Sequence, residues 1–312
     1  MAELSIAVVG CGALGNIHLT CWMNMVGVRV RAVIDSDAAL AAQTAGQYVA
    51  VAAFPHLKDA LATEAFDVVD ICLPPNQQAE AVELALKAGA NVLCEKPLTT
   101  DSKTAQRLTA LADERERLLM TGFVHRFHPP VLFLQELVEN DDLGTITQFR
   151  CRFSGLWSEA ETERTGDILS ETATHGIDLF RALCGEVKEV YGKIKRVQPT
   201  TSVPDTALIL LESERGNWGT VEAAWSSPGG HNRIEVYGTA GACIVDYETE
   251  TLRYMTADHP LWQVRDERGP NRYERMLSHV ADAVRGLQPP QISGTDGVRA
   301  LALCETVREQ NP

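Results

Sequence analysis

The chain has 312 residues, more than one core of ordinary size accommodates, so two domains are expected. Its 45 % hydrophobic and 22 % charged residues are the composition of an ordinary soluble globular protein. A net charge of −14 excludes non-specific binding to nucleic acid or to an anionic membrane, which needs a basic face. It leaves a dinucleotide open, because backbone N–H groups hold phosphate without Lys or Arg.

Leu4 to Val9 is a short apolar run suited to a strand buried on both faces. The spacing predicts a helix from about Leu14 to Met25, a strand Val28 to Ile34 ended by Asp35-Ser36-Asp37, and an Ala-rich helix Ala38 to Tyr48. A short extended piece at Phe54 and a short helix Leu57 to Ala62 follow. Val68 to Leu73 reads as a strand stopped by Pro74-Pro75, and Gln77 to Ala88 as a helix ending at Gly89. Asn91 to Cys94 is a strand with Glu95-Lys96-Pro97 at its carboxyl end. Asp101 or Ser102 caps a charged helix to Arg117, and Leu118 to Thr121 is another strand. This alternation predicts a parallel, doubly wound sheet.

The pattern changes near Gly122, so a dinucleotide-binding domain is placed at 1–122 and a substrate-binding and oligomerisation domain at 123–312. In the latter, a helix Pro129 to Glu139 precedes a strand Thr145 to Phe153, and a helix from about Leu169 to Leu183 closes at Gly185. Consecutive strands follow at Glu189–Val197, Thr206–Leu211, Trp218–Trp225, Asn232–Tyr237, Ala242–Tyr247 and Leu252–Met255, separated by turns such as Gly238-Thr239-Ala240-Gly241. Strands without intervening helices make an antiparallel or mixed open sheet. The tail returns to helix at Tyr273–Leu287 and Gly297–Arg308. The class is therefore α/β for the first half and α+β for the second.

The eight cysteines are scattered, with no Cys-x-x-Cys pair, and are expected to be buried reduced thiols. The N-terminus shows no signal peptide and no apolar run approaches the roughly 20 residues of a spanning helix, so the expected location is the cytoplasm.

Gly10-Cys11-Gly12-Ala13-Leu14-Gly15 follows the first strand and opens the first helix, the context a dinucleotide fingerprint requires. Gly10 allows the tight turn, Gly12 clears the pyrophosphate, and Gly15 lets helix and strand pack closely. Asp35 stands about 20 residues beyond, where an acid binds the ribose hydroxyls. Its carboxylate repels a 2′-phosphate, and its neighbours Ser36 and Asp37 offer no Arg, so NAD is favoured over NADP. His18, three residues after Gly15, is expected to pack within the first helix. His125 and His128 lie close together, but Pro129-Pro130 cut any helix there and no ligand set completes a metal site, so no metal is expected.

Ala88-Gly89-Ala90-Asn91-Val92-Leu93-Cys94-Glu95-Lys96-Pro97-Leu98 is more specific. Together with the glycine fingerprint, Gly122-Phe123, Arg126-Phe127 and Glu171-Thr172-Ala173-Thr174-His175-Gly176-Ile177-Asp178, it resembles the glucose–fructose oxidoreductase/inositol dehydrogenase (Gfo/Idh/MocA) family over essentially the whole chain. The resemblance implies a Rossmann domain followed by a domain with a large open, mostly antiparallel sheet, whose outer face builds a homodimer or homotetramer. It also implies hydride exchange between NAD and a hydroxyl–keto pair on a sugar, cyclitol or related polyol.

By that resemblance Lys96 is a catalytic, substrate-binding and cofactor-binding group, and its ammonium suits stabilisation of a developing alkoxide. His175 matches the family's catalytic histidine and is the natural general base. Glu171, four residues earlier, orients the imidazole or binds a substrate hydroxyl, and Asp178 is placed to hold the other ring nitrogen. Ala13, Leu14, Ser36, Leu73 and Pro74 complete the cofactor set, with Glu95 supporting the cofactor's ribose or the local turn. His125 and Arg126 contact substrate hydroxyls, or Arg126 bridges the domains. Trp157 flanks the substrate or packs.

Four kinds of departure separate this chain from the family pattern. Glu171 replaces an Asp, Asp167 and Ala173 replace glycines, Pro75 replaces an Asn and Gln78 a His. They lie on the substrate side, so an inositol-type substrate does not follow from the resemblance. An NAD-dependent glycosidase on the same scaffold and a non-catalytic NAD-binding sensor are the rival readings.

Overall fold

A computed structural model describes residues 3–156, 166–267 and 269–311. The chain divides into two compact units, residues 1–124 with Arg272–Arg299, and His125–Asn271 with residues 300–312.

In the first unit the elements alternate as β1 (Leu4–Val9), α1 (Ala13–Met23), β2 (Val28–Ile34), α2 (Ala38–Ala45), β3 (Ala52–Phe54), α3 (Leu57–Thr63), β4 (Val68–Ile71), α4 (Pro75–Lys87), β5 (Asn91–Cys94), α5 (Ser102–Glu114) and β6 (Leu119–Thr121). Among the described residues these strands form one six-stranded sheet in the order β3-β2-β1-β4-β5-β6. Every pairing is parallel. The order reverses between β1 and β4, and ligands of open α/β sheets bind outside the carboxyl ends of the strands at such a switch point. All four residues of β4 are buried, as a strand covered on both sides requires, and Asp70 among them is the exception in character. Asp37 caps α2 by accepting the Ala39 and Leu40 N–H groups, and Asp101, the first of the two expected candidates, caps α5 through the Thr104 N–H.

The boundary expected at residue 122 needs a correction, because the chain returns to this unit at α8 (Arg272–Val284). The apolar stripe of α8, Met276, Leu277, Val280 and Ala283, is buried. The Tyr273 ring lies 5.6 Å from that of His18 on α1, and Arg285 donates to the Gly27 carbonyl at 2.6 Å. An amphipathic helix declares that it has a face to bury but not which sheet it will cover.

The second unit holds a tight helical turn (Val124–Phe127, begun in the first unit), α6 (Pro129–Glu139), β7 (Ile146–Ser154), a wide π turn (Leu169–Ala173) and α7 (Thr174–Cys184). The strands β8 (Val187–Lys195), β9 (Thr206–Ser213), β10 (Trp218–Ala224), β11 (Arg233–Gly238), β12 (Ala242–Asp246), β13 (Thr251–Met255) and β14 (Gln263–Asp266) follow. Among the described residues they and β7 make an eight-stranded sheet, β14-β13-β12-β11-β7-β10-β9-β8, in which only β7 and β10 run parallel. The expected mostly antiparallel sheet is therefore observed, with one added edge strand. All four residues of β14 are exposed, so no hydrophobic alternation marks it. α7 covers one face of the sheet: the Phe180 and Phe149 rings meet at 5.5 Å, and a Cβ at Gly176 would fall 2.6 Å from Val221 Cγ1. The last helix, α9 (Gly294–Glu309), starts in the first unit and places Cys304 and Val307 in the core of the second.

No helix among the described residues is long and apolar enough to cross a membrane. All eight cysteines are free, and seven are buried. Burial pushes the thiols up, to about 12 at Cys184, Cys243 and Cys304, which keeps them protonated and unreactive.

Candidate active site

The nucleotide half is built at the carboxyl ends of β1, β2, β4 and β5. Gly10 has φ of +99°, and a Cβ there would lie 2.4 Å from the Cys72 carbonyl oxygen. A Cβ on Gly15 would lie 1.8 Å from the Gly10 carbonyl oxygen, so the helix can approach its strand only with glycine at that place. Nothing lies within 4 Å of a Cβ built on Gly12. Gly12 and Ala13 are exposed, Leu14 is half-buried, and no side chain caps α1. A helix N-terminus with open space before it and uncapped N–H groups is a seat for a pyrophosphate. These residues therefore fit a dinucleotide.

Asp35, half-buried at the end of β2, faces two ways. Its Oδ2 accepts the Cys11 N–H at 2.8 Å and its Oδ1 the Asp37 N–H at 2.9 Å. Beside it a cleft of about 360 Å³ is lined by Ile34, Ser36, His56, Lys58, Leu73 and Leu84. Pro74 caps α4 from an exposed position. Glu95 is buried and Lys96 half-buried at the end of β5, where the Lys96–Pro97 peptide is cis. Glu95 is held on several sides. Its Oε2 accepts the Lys96 N–H at 3.2 Å, its carbonyl accepts Gln78 Nε2 at 3.0 Å, and a Cβ on Gly122 would fall 2.5 Å from its Oε1.

His18 does more than pack within α1. It is fully buried, with Nδ1 2.9 Å from Asp70 Oδ2 and Nε2 3.3 Å from Glu95 Oε1. Trp22 Nε1 donates to the same Asp70 oxygen at 2.7 Å. The available signal was Asp70 itself, a charged residue inside an otherwise apolar strand, which must find partners where it is buried.

In the second unit, the π turn carries Glu171 into α7, which carries His175, and both side chains are buried. The π turn was not foreseen; such turns accumulate at functional sites. Its start is fixed by Asp167, which accepts the Ser170 N–H at 2.9 Å and pairs with Arg308 Nε at 2.8 Å. That gives the Asp at a family glycine position a structural purpose. Thr172 accepts Trp225 Nε1 at 2.8 Å.

His125 lies edge-on to His175, with ring centroids 4.4 Å apart, and its Nδ1 is 3.1 Å from the Tyr247 hydroxyl. The Tyr247 ring stacks on His128 at 4.2 Å. Tyr247 was not among the expected site residues, since it follows β12 with no motif around it. Arg126 is 7 % exposed and spends Nε and Nη2 on Asp178 at 2.7 and 2.5 Å. Asp178, expected near a ring nitrogen of His175, is thus paired with Arg126 inside the same unit. Trp157 lies outside the described residues.

A family model described as the oxidoreductase family with an NAD-binding Rossmann fold matches residues 4–123, and the GFO/IDH/MocA C-terminal domain model matches residues 131–244. The chain is 31 % identical to an inositol 2-dehydrogenase of Corynebacterium glutamicum, over 97 % of this chain and 92 % of that one. It is 28 % identical to a D-apiose dehydrogenase of Paraburkholderia graminis, over 96 % and 85 % respectively. An oxidoreductase from Agrobacterium radiobacter, solved in complex with NAD+, L-tartaric acid and magnesium, shares the fold with a TM-score of 0.90 at 21 % identity, over 99 % of this chain and 96 % of that one.

Proposed function

The chain belongs to the Gfo/Idh/MocA family of NAD-binding oxidoreductases, and from that premise we propose that it is an NAD-dependent dehydrogenase of a sugar, cyclitol or related polyol. The observation that carries the reading is one sheet presenting two things at its carboxyl edge. An open glycine cradle lies before α1, and a lysine stands at the end of β5.

Bound NAD supplies the hydride acceptor, or the donor in the reverse direction. Gly10, Gly12, Ala13, Leu14 and Gly15 hold the pyrophosphate, Asp35 and Ser36 the adenosine ribose, and Leu73, Pro74 and Glu95 the nicotinamide end. The Lys96 ammonium donates to the reacting oxygen and stabilises its negative charge. His175 takes the hydroxyl proton, and Glu171 binds a neighbouring hydroxyl. His125 adjoins His175 and belongs to the substrate side. The names of the relatives, inositol 2-dehydrogenase and D-apiose dehydrogenase, support a polyhydroxylated substrate. We assign the outer face of the eight-stranded sheet to a second copy of the chain.

The test is a cofactor-reduction screen over sugars, cyclitols and hydroxy acids, with NAD and NADP in parallel. Reduced nicotinamide should accumulate with at least one polyol, and Lys96→Ala and His175→Ala should abolish it. Release of an aglycone without build-up of NADH selects the glycosidase reading. Tight NAD binding with no turnover across the panel selects the sensor.

A further inference from the structure

Three buried ionisable side chains line up in the first unit, and of these the reaction as assigned uses only Glu95, at the nicotinamide end. Asp70 on β4, His18 on α1 and Glu95 after β5 are 0 %, 0 % and 4 % exposed. Two contacts fix one end of the row: His18 Nδ1 lies 2.9 Å from Asp70 Oδ2, and Trp22 Nε1 donates to that oxygen. With Nδ1–H donated to Asp70, a neutral ring would turn the bare Nε2 lone pair toward Glu95 Oε1, 3.3 Å away. Neither Nε2 nor Oε1 has a hydrogen-bond partner among the described residues. Two buried acceptors facing each other is a costly arrangement, and a proton between them removes the cost.

We propose that Asp70, His18 and Glu95 form a buried relay that keeps one proton between His18 Nε2 and Glu95 Oε1, and so positions the main chain that carries Lys96. The inference rests on Lys96 being the group that meets the reacting oxygen. The far end of the row supports it, because Glu95 Oε2 takes the Lys96 N–H, Gln78 holds the Glu95 carbonyl, and glycine at 122 leaves room for the carboxylate. A side chain at 122, or a group at 78 that cannot donate, would shift the strand end.

The proton resides on the ring. Burial alone would discharge His18, but the Cys72 sulfur and the Asp70 carboxylate beside it hold its pKa well above the usual histidine value. Cys72 is itself pushed up to about 12 by burial and stays a thiol, so the charge that matters is that of Asp70. The groups facing the imidazole include Asp70 and Cys72 from β4 and its end, Glu95 from the end of β5, the Tyr273 ring from α8 and the Cys21 thiol from α1 itself. His18, Asp70 and Glu95 are positioning residues, since they act through the placement of Lys96.

The relay is tested first without cofactor or substrate, by following the ring nitrogens of 15N-histidine-labelled protein. His18 is assigned by its loss in His18→Gln or by its displacement in Glu95→Gln. At about pH 8, where an ordinary histidine is neutral, His18 should give the signature of a doubly protonated ring. A neutral ring there overturns the proposal, and this wild-type measurement survives a variant that fails to fold. In turnover, His18→Gln and Glu95→Gln should each lower kcat about 10- to 100-fold while substrate KM stays within about threefold. The double variant should be no worse than the poorer single, because the two act on one contact. Unchanged kcat in the singles, or multiplying losses in the double, overturns the relay. Failure of the functional reading looks different: Lys96→Ala would keep its turnover while the His18 signature stood unchanged.

Discussion

Asp35 ties the glycine turn to the end of β2, with Oδ2 accepting the Cys11 N–H at 2.8 Å while Oδ1 accepts the Asp37 N–H at 2.9 Å. One carboxylate thus shapes the cradle and sets the charge of the cleft beside it. The two tasks separate by substitution. Asp35→Asn keeps an acceptor for the Cys11 N–H and loses the charge, so stability should hold while the preference for NAD over NADP falls about tenfold or more. Asp35→Ala should lose the preference and also about 1–3 kcal/mol, because the Cys11 N–H is left without its acceptor. Steady-state kinetics with both cofactors and denaturant unfolding read the two effects. An Asn variant with wild-type discrimination would remove Asp35 as the selector.

How much of this was legible depended on whether the signal was local. The glycine turn, Asp35, Lys96 and His175 are each carried by a short stretch whose chemistry and context agree, and their elements stand where the spacing predicts. The partners of buried charge are different. Asp70 sits in an apolar strand, and His18 and Glu95 lie 52 residues before it and on the next strand's end; only the parallel order β1-β4-β5 brings the three together. Arg126 and Asp178 form a pair across 52 residues of sequence, and nothing in either neighbourhood names the other. The exposed strand β14 carries no alternation to read. The π turn is a local departure that the apolar spacing of a helix does not encode.

The Arg126–Asp178 pair is a stability element of the second unit, with side chains 8 % and 1 % exposed. Arg181 Nη1 lies 3.8 Å from the same carboxylate. Asp178→Asn leaves buried guanidinium charge without its counter-ion, and such losses cost about 3–5 kcal/mol. Arg126→Lys is no rescue, because a lysine cannot reproduce the two-pronged contact. Urea unfolding should show the loss in both variants, and a change under about 1 kcal/mol would show that the pair is not what holds the start of this unit.

Asp167 gives a prediction with a pH signature. Burial works to raise its carboxyl, but Arg308 and the Ser170 N–H outweigh burial and hold it below the usual carboxylate value. A group whose pKa is lower folded than unfolded adds stability above its unfolded pKa of about 3.9 and loses it as pH falls through the folded value. At neutral pH Asp167→Asn should therefore destabilise by about 1–3 kcal/mol, for one helix cap and one charged contact. The gap to wild type should close in acid below the ordinary carboxylate range. A gap that stays constant with pH would mean the ion pair contributes nothing.

The outer face of the eight-stranded sheet is the surface assigned above, as a proposal, to a second copy of the chain. Along β9, Ala207, Ile209 and Leu211 are buried, whereas Leu208 and Leu210, which point the other way, are about half exposed. A sheet with one face in water carries polar residues on that face, and this strand is apolar on both. Leu210 pairs with Tyr191 on β8, and Trp218 on β10 is 68 % exposed beside them. The hollow they border measures about 380 Å³. Contiguous apolar surface of this kind marks a contact with another chain, and a second copy of the chain is the occupant proposed for it. Sedimentation should find a dimer or tetramer, and Leu210→Glu should shift it to monomer by burying unpaired charge in the contact. Because Leu210 faces away from the core, the released monomer should keep its fold by circular dichroism. A wild-type chain that sediments as a monomer at micromolar concentration would leave this face for a different partner.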